Sequence, residues 1–117
     1  MAGISTVQAS ISIAGSGDNT VIAAPSANQA IHVHYMDIQN TSGTATTVIF
    51  KDGTTAFNGA GYLINGSGGY YFAPGVDEKT NTTRKIEMRC SKGNAFVINL
   101  SGANQHSGFL LYSLESI

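Results

Sequence analysis

The sequence predicts an all-β domain: a single antiparallel β-sandwich, jelly-roll-like, of eight to nine short strands. Three observations predict it. Apolar and polar residues alternate with period two in most segments, the signature of a strand with one buried face. Turn-forming Gly, Asn, Asp and Pro interrupt the chain about every ten residues. Charged residues are only 11% of the 117, and 14 Gly, 12 Ser, 11 Thr and 9 Asn take their place. That mixture suits strands and tight turns and is poor in helix formers. A chain of this length holds one domain, which we assign to residues 7–117 behind an N-terminal arm, 1–6.

Val7, Ala9, Ile11 and Ile13 alternate with Gln8, Ser10 and Ser12 and make the first strand. Gly15 to Asn19 reads as a break, Thr20 to Ala24 as the second strand, and Pro25 as its end. In the third, Ile31, Val33 and Tyr35 share one face, with His32 and His34 on the other. The apolar phase then moves to Met36 and Ile38, and a one-residue slip within a strand predicts a β-bulge. Asn40 to Gly43 is a turn, Thr46 to Lys51 the next strand, and Asp52-Gly53 a two-residue hairpin turn that pairs Thr54–Phe57 back on it.

Residues 58–75 are glycine-rich, with short strands around Tyr62–Ile64 and Tyr70–Ala73. Residues 77–92 hold 8 of the 13 charged side chains, and Asp77 to Thr83 reads as a polar exposed loop. Ile86, Met88 and Cys90 then alternate with Lys85, Glu87 and Arg89. Phe96, Ile98 and Leu100 form one apolar face, and the last strand runs from Ser107 to Leu114. There Leu110, Tyr112 and Leu114 face one way and Phe109 and Leu111 the other, so both faces are expected to be covered.

Composition and motifs exclude more chemistry than they suggest. A net charge of −1 draws the protein neither to nucleic acid nor to anionic membrane. No stretch approaches the ~20 apolar residues of a membrane span. The N-terminus lacks the basic and apolar regions of a secretion signal, so synthesis in a cytoplasm is expected, and the sequons at Asn40, Asn65, Asn81 and Asn99 read as compositional. The single cysteine, Cys90, allows no internal disulfide and reads as a buried inert thiol. No nucleophile elbow or phosphate loop is present, titratable residues are scarce, and Asp77 and Glu78 point apart on an extended chain, which argues against an enzyme. His32 and His34 could share a metal ion with His106, but no Cys, Asp or Glu at recognisable spacing completes a set. We therefore expect no cofactor and read the histidines as polar residues on a strand's outer face. Tyr62, Tyr70, Tyr71 and Phe72 stand beside glycines and are candidates for an interface.

Gly15 to Ala24, Val48 to Ala56 with Asn58-Gly59-Ala60, and Leu100 to Ala103 with Gly108 to Tyr112 together resemble small structural proteins of tailed bacteriophages. The likeness spans about residues 12–114 and lies in the order of turn-and-strand patterns. It implies a capsid decoration, or cement, protein: a β-sandwich on the outside of the virion, often a trimer, bridging major capsid protein subunits. The charged stretch 77–89 and the paired histidines depart from the family pattern. The expected contacts are the arm with Ile4 and the loops around 58–83, through Tyr62, Tyr70, Tyr71, Phe72, Asp77, Glu78 and Lys79, with Arg84 beyond. The rival expectations are a tail, neck or fibre component binding a host glycan through Tyr62, Tyr70 or Tyr71, and a small metal enzyme built on the three histidines.

Overall fold

The computed structural model describes residues 6–72, 76–77, 82–83 and 88–116, with 72, 76, 77, 82 and 83 as backbone alone. Its strands are β1 (Val7–Ile13), β2 (Gly17–Ile22), β3 (Gln29–Asn40), β4 (Thr46–Asp52), β5 (Thr55–Ala56), β6 (Tyr62–Ile64), β7 (Gly69–Phe72), β8 (Val76–Asp77), β9 (Thr82–Thr83), β10 (Met88–Arg89), β11 (Phe96–Leu100) and β12 (His106–Ser116). Ten of them form two five-stranded antiparallel sheets packed as a sandwich. The first runs β1-β12-β3, with β10 and β7 sharing the far edge of β3; the second runs β2-β11-β4, with β5 and β6 sharing the far edge of β4. No helix occurs among the described residues, so none is long and apolar enough to cross a membrane.

The pairing is nested. β1 pairs with β12, β2 with β11 and β3 with β10, while the chain crosses between the sheets at each step from β1 to β4 and again from β10 to β12. This is a long hairpin rolled on itself, the topology of a jelly roll. The sequence expectation of eight to nine strands falls short because β3 and β4 each carry two short partners on one edge. Of the expected loop 77–83, Asp77, Thr82 and Thr83 belong instead to a small separate ribbon in which β8 pairs antiparallel with β9, and residues 78–81 lie outside the described residues.

Between the sheets lies one core, with Ile31, Val33, Met36, Ile38, Val48, Phe50, Phe96, Ile98, Leu100 and Leu110 all at most 1% exposed. β3 feeds it from both of its halves. Tyr112 lies opposite Val33 and Leu111 opposite Tyr35, so His34 is the extra residue of a bulge. The bulge reverses the alternation: Ile31 and Val33 point inward before it, Met36 and Ile38 after it, and Tyr35 turns outward.

Two asparagines replace missing strand pairing. Asn58 Oδ1 accepts from the Phe50 amide at 2.9 Å, and its Nδ2 donates to the Val48 carbonyl at 3.1 Å, so one side chain fills the β4 edge between β5 and β6. Asn40, fully buried, donates to the carbonyls of Thr44 and Ile64 and accepts from the amide and hydroxyl of Ser42. The expected β4–β5 turn is displaced by one residue. Asp52 pairs with Thr55, so Gly53 and Thr54 form the turn, with Gly53 at a φ of 58°. Asp52 is held in the ladder because its carboxylate accepts from the Ser91 amide and hydroxyl and from Asn94. β2 likewise starts earlier than expected, at Gly17, where Asn19 donates to the Gly15 and Gly17 carbonyls. Gly108 is required by close approach, since a Cβ there would overlap the Asp37 carbonyl oxygen of β3.

Asn40→Ala takes away the buried donor to the Ile64 carbonyl and the acceptor of the Ser42 amide at the β3–β4 corner. It should lower unfolding free energy by about 3 kcal/mol in urea denaturation, against less than ~0.5 kcal/mol for an exposed control such as Thr55→Ala.

Candidate functional site

The outer face of the β1-β12-β3 sheet gathers most of the chemistry. Outward positions on β12 are Ser107, Phe109, Leu111, Ser113 and Glu115; those on β3 are His32, His34, Tyr35, Asp37 and Gln39. Tyr71 joins from β7, opposite Asp37, and Arg89 from β10, opposite His32. The face divides into an aromatic part and a polar part.

The aromatic part centres on Tyr35. Its ring stacks on Phe109, centroids 5.3 Å apart at 25°, and meets Tyr71 edge-on at 5.3 Å and 85°. Tyr71 is 65% exposed. Partial desolvation, then the neighbouring Tyr71 and Asp37, raise the Tyr35 pKa above its ordinary value. Beside Phe109 and Leu111, β1 supplies uncharged Ser10 and Gln8, so Asp37 is the one formal charge among these residues. β1 is also the outermost strand of its sheet: β12 is its only strand partner among the described residues, and it carries neither charge nor proline.

The polar part lies at the other end of the same strands. His32 and His34 have ring centroids 4.0 Å apart, closer than the ~6.6 Å spanned by two residues of a regular strand. His32 Nδ1 is 2.8 Å from Glu115 Oε2; a carboxylate only accepts, so this nitrogen carries the proton. Arg89 Nε donates to Glu115 Oε1 at 2.9 Å. The second ring is fixed by Ser113, whose Oγ lies 2.8 Å from His34 Nε2. His32 is 6% and Ser113 1% exposed, although both face outward. Burial raises the Glu115 pKa, but the hydrogen bond and charge of His32 and the Arg89 guanidinium outweigh it and hold the carboxyl below its usual value near 4.5. One ligand atom from each of His32, His34 and Glu115 lies within 4.8 Å of the others.

The structure divides the residues singled out in the sequence. His106 does not join the other histidines. It is fully buried on the inner face, seven residues along β12 from the position opposite His32, which is ~24 Å of strand. Its Nδ1 lies 2.9 Å from the Asn104 carbonyl, and its Nε2 has no hydrogen-bond partner among the described residues. Tyr62 and Tyr70 are turned inward and stack on each other at 5.2 Å, with Phe50 at 6.2 and 5.1 Å. Burial and the Tyr62 hydroxyl raise the Tyr70 pKa. Tyr71 alone of the three lies on the outer face of the β1-β12-β3 sheet, while Tyr62, at the edge of the other sheet, is still 43% exposed. Ile4, Glu78, Lys79 and Arg84 lie outside the described residues, as do the side chains of Phe72 and Asp77. Cys90 is buried, its thiol pushed up to about 12 by burial and by Asp52; it is inert at neutral pH.

Sequence reasoning missed Tyr35, Phe109, Ser113, Arg89 and Glu115 as parts of a site. The sequence signal is partial. The slip predicts a bulge but sets it after Tyr35, which leaves Tyr35 on the inner face, and the ladder corrects this by placing the extra residue at His34. The alternation on β12 does set Phe109 on the face opposite Leu110 and Tyr112. No known family model, curated protein or solved structure matches the chain.

A carboxyl whose pKa falls on folding stabilises the fold above its unfolded value and loses that effect as pH drops through its folded value. Glu115→Gln should therefore cost about 1 kcal/mol at pH 7. It should also flatten the loss of stability below pH ~4.5, both read from urea midpoints between pH 7 and pH 3.

Proposed function

We propose that the protein is a non-enzymatic structural component of a bacteriophage virion, a decoration protein that binds the outer capsid surface and bridges major capsid protein subunits. The observation that carries the reading is the outward aromatic group Tyr35, Tyr71 and Phe109, in the part of the sheet face whose one formal charge among the described residues is Asp37. An outward aromatic group with Tyr71 exposed and Tyr35 and Phe109 half-buried beneath it has the composition of an interface core, where Tyr and Phe bury much area at little cost in rotamer entropy. The open β1 edge borders that face. Soluble monomers guard such edges with lysine, proline or a bulge, and β1 has none of these. Both features favour contact with protein, including further copies of the chain, and the resemblance of residues 12–114 to phage structural proteins names the setting.

The mode of action is mechanical. A decoration protein opposes separation of shell subunits by adding buried contact across their boundary, and a symmetric oligomer multiplies weak contacts by avidity. The sandwich suits this, because two five-stranded sheets on one continuous core transmit load without a hinge. Tyr70 packs against the core, which weakens the rival glycan-binding reading for that residue, while Tyr62 stacked on it keeps 43% exposure.

The test is addition of purified protein to heads of the encoding phage assembled without it. Wild-type protein should co-sediment with the heads, raise the temperature at which they release DNA, and show in light scattering a multiple of the single-chain mass, three being expected. The double variant Tyr71→Ser, Phe109→Ser should bind at least about tenfold more weakly while keeping its β circular dichroism. Absence of head binding, unchanged binding by the variant, or glycan binding in its place would refute the reading.

A further inference from the structure

We propose that His32, His34 and Glu115 form a binding site for one divalent transition-metal ion of the zinc type. Two imidazoles and one carboxylate are the ligand set such ions favour, and three protein ligands leave a fourth position for water. Magnesium and calcium prefer all-oxygen ligation and are not matched by this set.

The three groups converge because of the fold. The His34 bulge draws the two rings of β3 together, and the β12 register brings Glu115 next to them from 83 residues away. Around a tetrahedral ion with bonds of ~2.0–2.1 Å, ligand atoms stand ~3.3 Å apart. The His32–Glu115 contact of 2.8 Å must open by roughly half an ångström, and the widest separation, 4.8 Å at most, must close by up to ~1.5 Å. Rotation of side chains on two adjacent strands covers both changes. The ion takes the place of the proton now held between His32 Nδ1 and Glu115 Oε2.

A supporting shell is already in place. Ser113 Oγ holds His34 Nε2 and Arg89 Nε holds Glu115 Oε1, with a second guanidinium nitrogen 3.4 Å from His32 Nδ1. Such outer contacts fix ring orientation and carboxylate position in metal sites. The guanidinium also adds positive charge beside the ion, so the site is of moderate affinity, suited to an ion that tightens the pairing of β12 with β3.

The experiment uses the full chain, stripped with EDTA and titrated with zinc chloride by calorimetry, with magnesium chloride as the contrast. One zinc ion per chain should bind, magnesium should not, and the unfolding temperature should rise as zinc saturates. His34→Asn and Glu115→Gln should each weaken zinc binding at least about tenfold, whereas Asp18→Asn, on the opposite sheet, should bind as wild type. In the wild-type protein, zinc should shift the NMR ring signals of His32 and His34 and leave His106 unmoved, a readout that needs no variant to fold. No zinc binding, equal loss in Asp18→Asn, or shifts centred away from these two rings would overturn the proposal.

Discussion

The single extra residue in β3 is the constraint on which the rest of the molecule depends. β3 is a twelve-residue central strand that must feed the core along its whole length. A regular strand with this sequence would bury Ile31, Val33 and Tyr35 and expose Met36 and Ile38. The bulge at His34 removes the conflict: four aliphatic side chains enter the core, each fully buried, and the tyrosine goes outside. Fully burying such side chains contributes roughly 1.5–3 kcal/mol each, so losing Met36 and Ile38 from the core would outweigh the ladder contact that the bulge gives up. The outer face is a consequence of the same event. Tyr35 becomes the centre of an aromatic group, and the two histidines come within stacking distance.

Polar side chains hold the places where the ladder cannot continue. Asn40 satisfies backbone groups on two segments and Asn58 an amide and a carbonyl of β4, which lets the chain leave β3 and skip along β4 without stranding a buried donor or acceptor. Asp52 does the same where β4 meets the turn after Cys90, and Asp18 ties β2 to β4 and β11 through Lys51 at 3.0 Å and Asn99 at 2.7 Å. Each is a short side chain that accepts or donates more than once, so the abundance of Asn, Ser and Thr is a structural requirement of a sandwich with many short edge strands.

These two devices explain how much could be read from the residues alone. Alternation located β1, β11 and the inward face of β12, and the phase slip foretold a bulge in β3. The pattern sets that slip after Tyr35, which puts Tyr35 inside with Ile31 and Val33, whereas the ladder places the extra residue at His34 and turns Tyr35 out. Local patterns failed where pairing is non-local. The aromatic cluster of residues 62–72 looked like one surface, yet Tyr62 lies opposite Val48 and Tyr70 opposite Ile38, both inward positions, while Tyr71 lies opposite Asp37 and points out. Adjacent residues on a strand face opposite ways, so the cluster had to split, but which tyrosine went outward depended on the register with β3. The histidines show the same limit. His32 and His34 were paired correctly by spacing, but His106 was joined to them by residue type, and only the sheet register reveals Glu115 as their neighbour.

The two halves of the outer face place opposite demands on the same pair of strands. An adhesive aromatic surface works only if it is already rigid, because side-chain and backbone ordering on contact subtracts from affinity. Tyr35 and Phe109 sit at the middle of β3 and β12, whose ladder spans eleven residue pairs, and their rings are locked by each other. The end of that ladder is less secure: Leu114 is 45% exposed, and β12 ends beyond it at Ser116. Glu115 is the last residue of β12 with side-chain links across the sheet among the described residues, through His32 and Arg89. A charged clamp at the strand end therefore protects the register that orients the aromatic rings, and the polar part of the face serves the apolar part through the backbone they share.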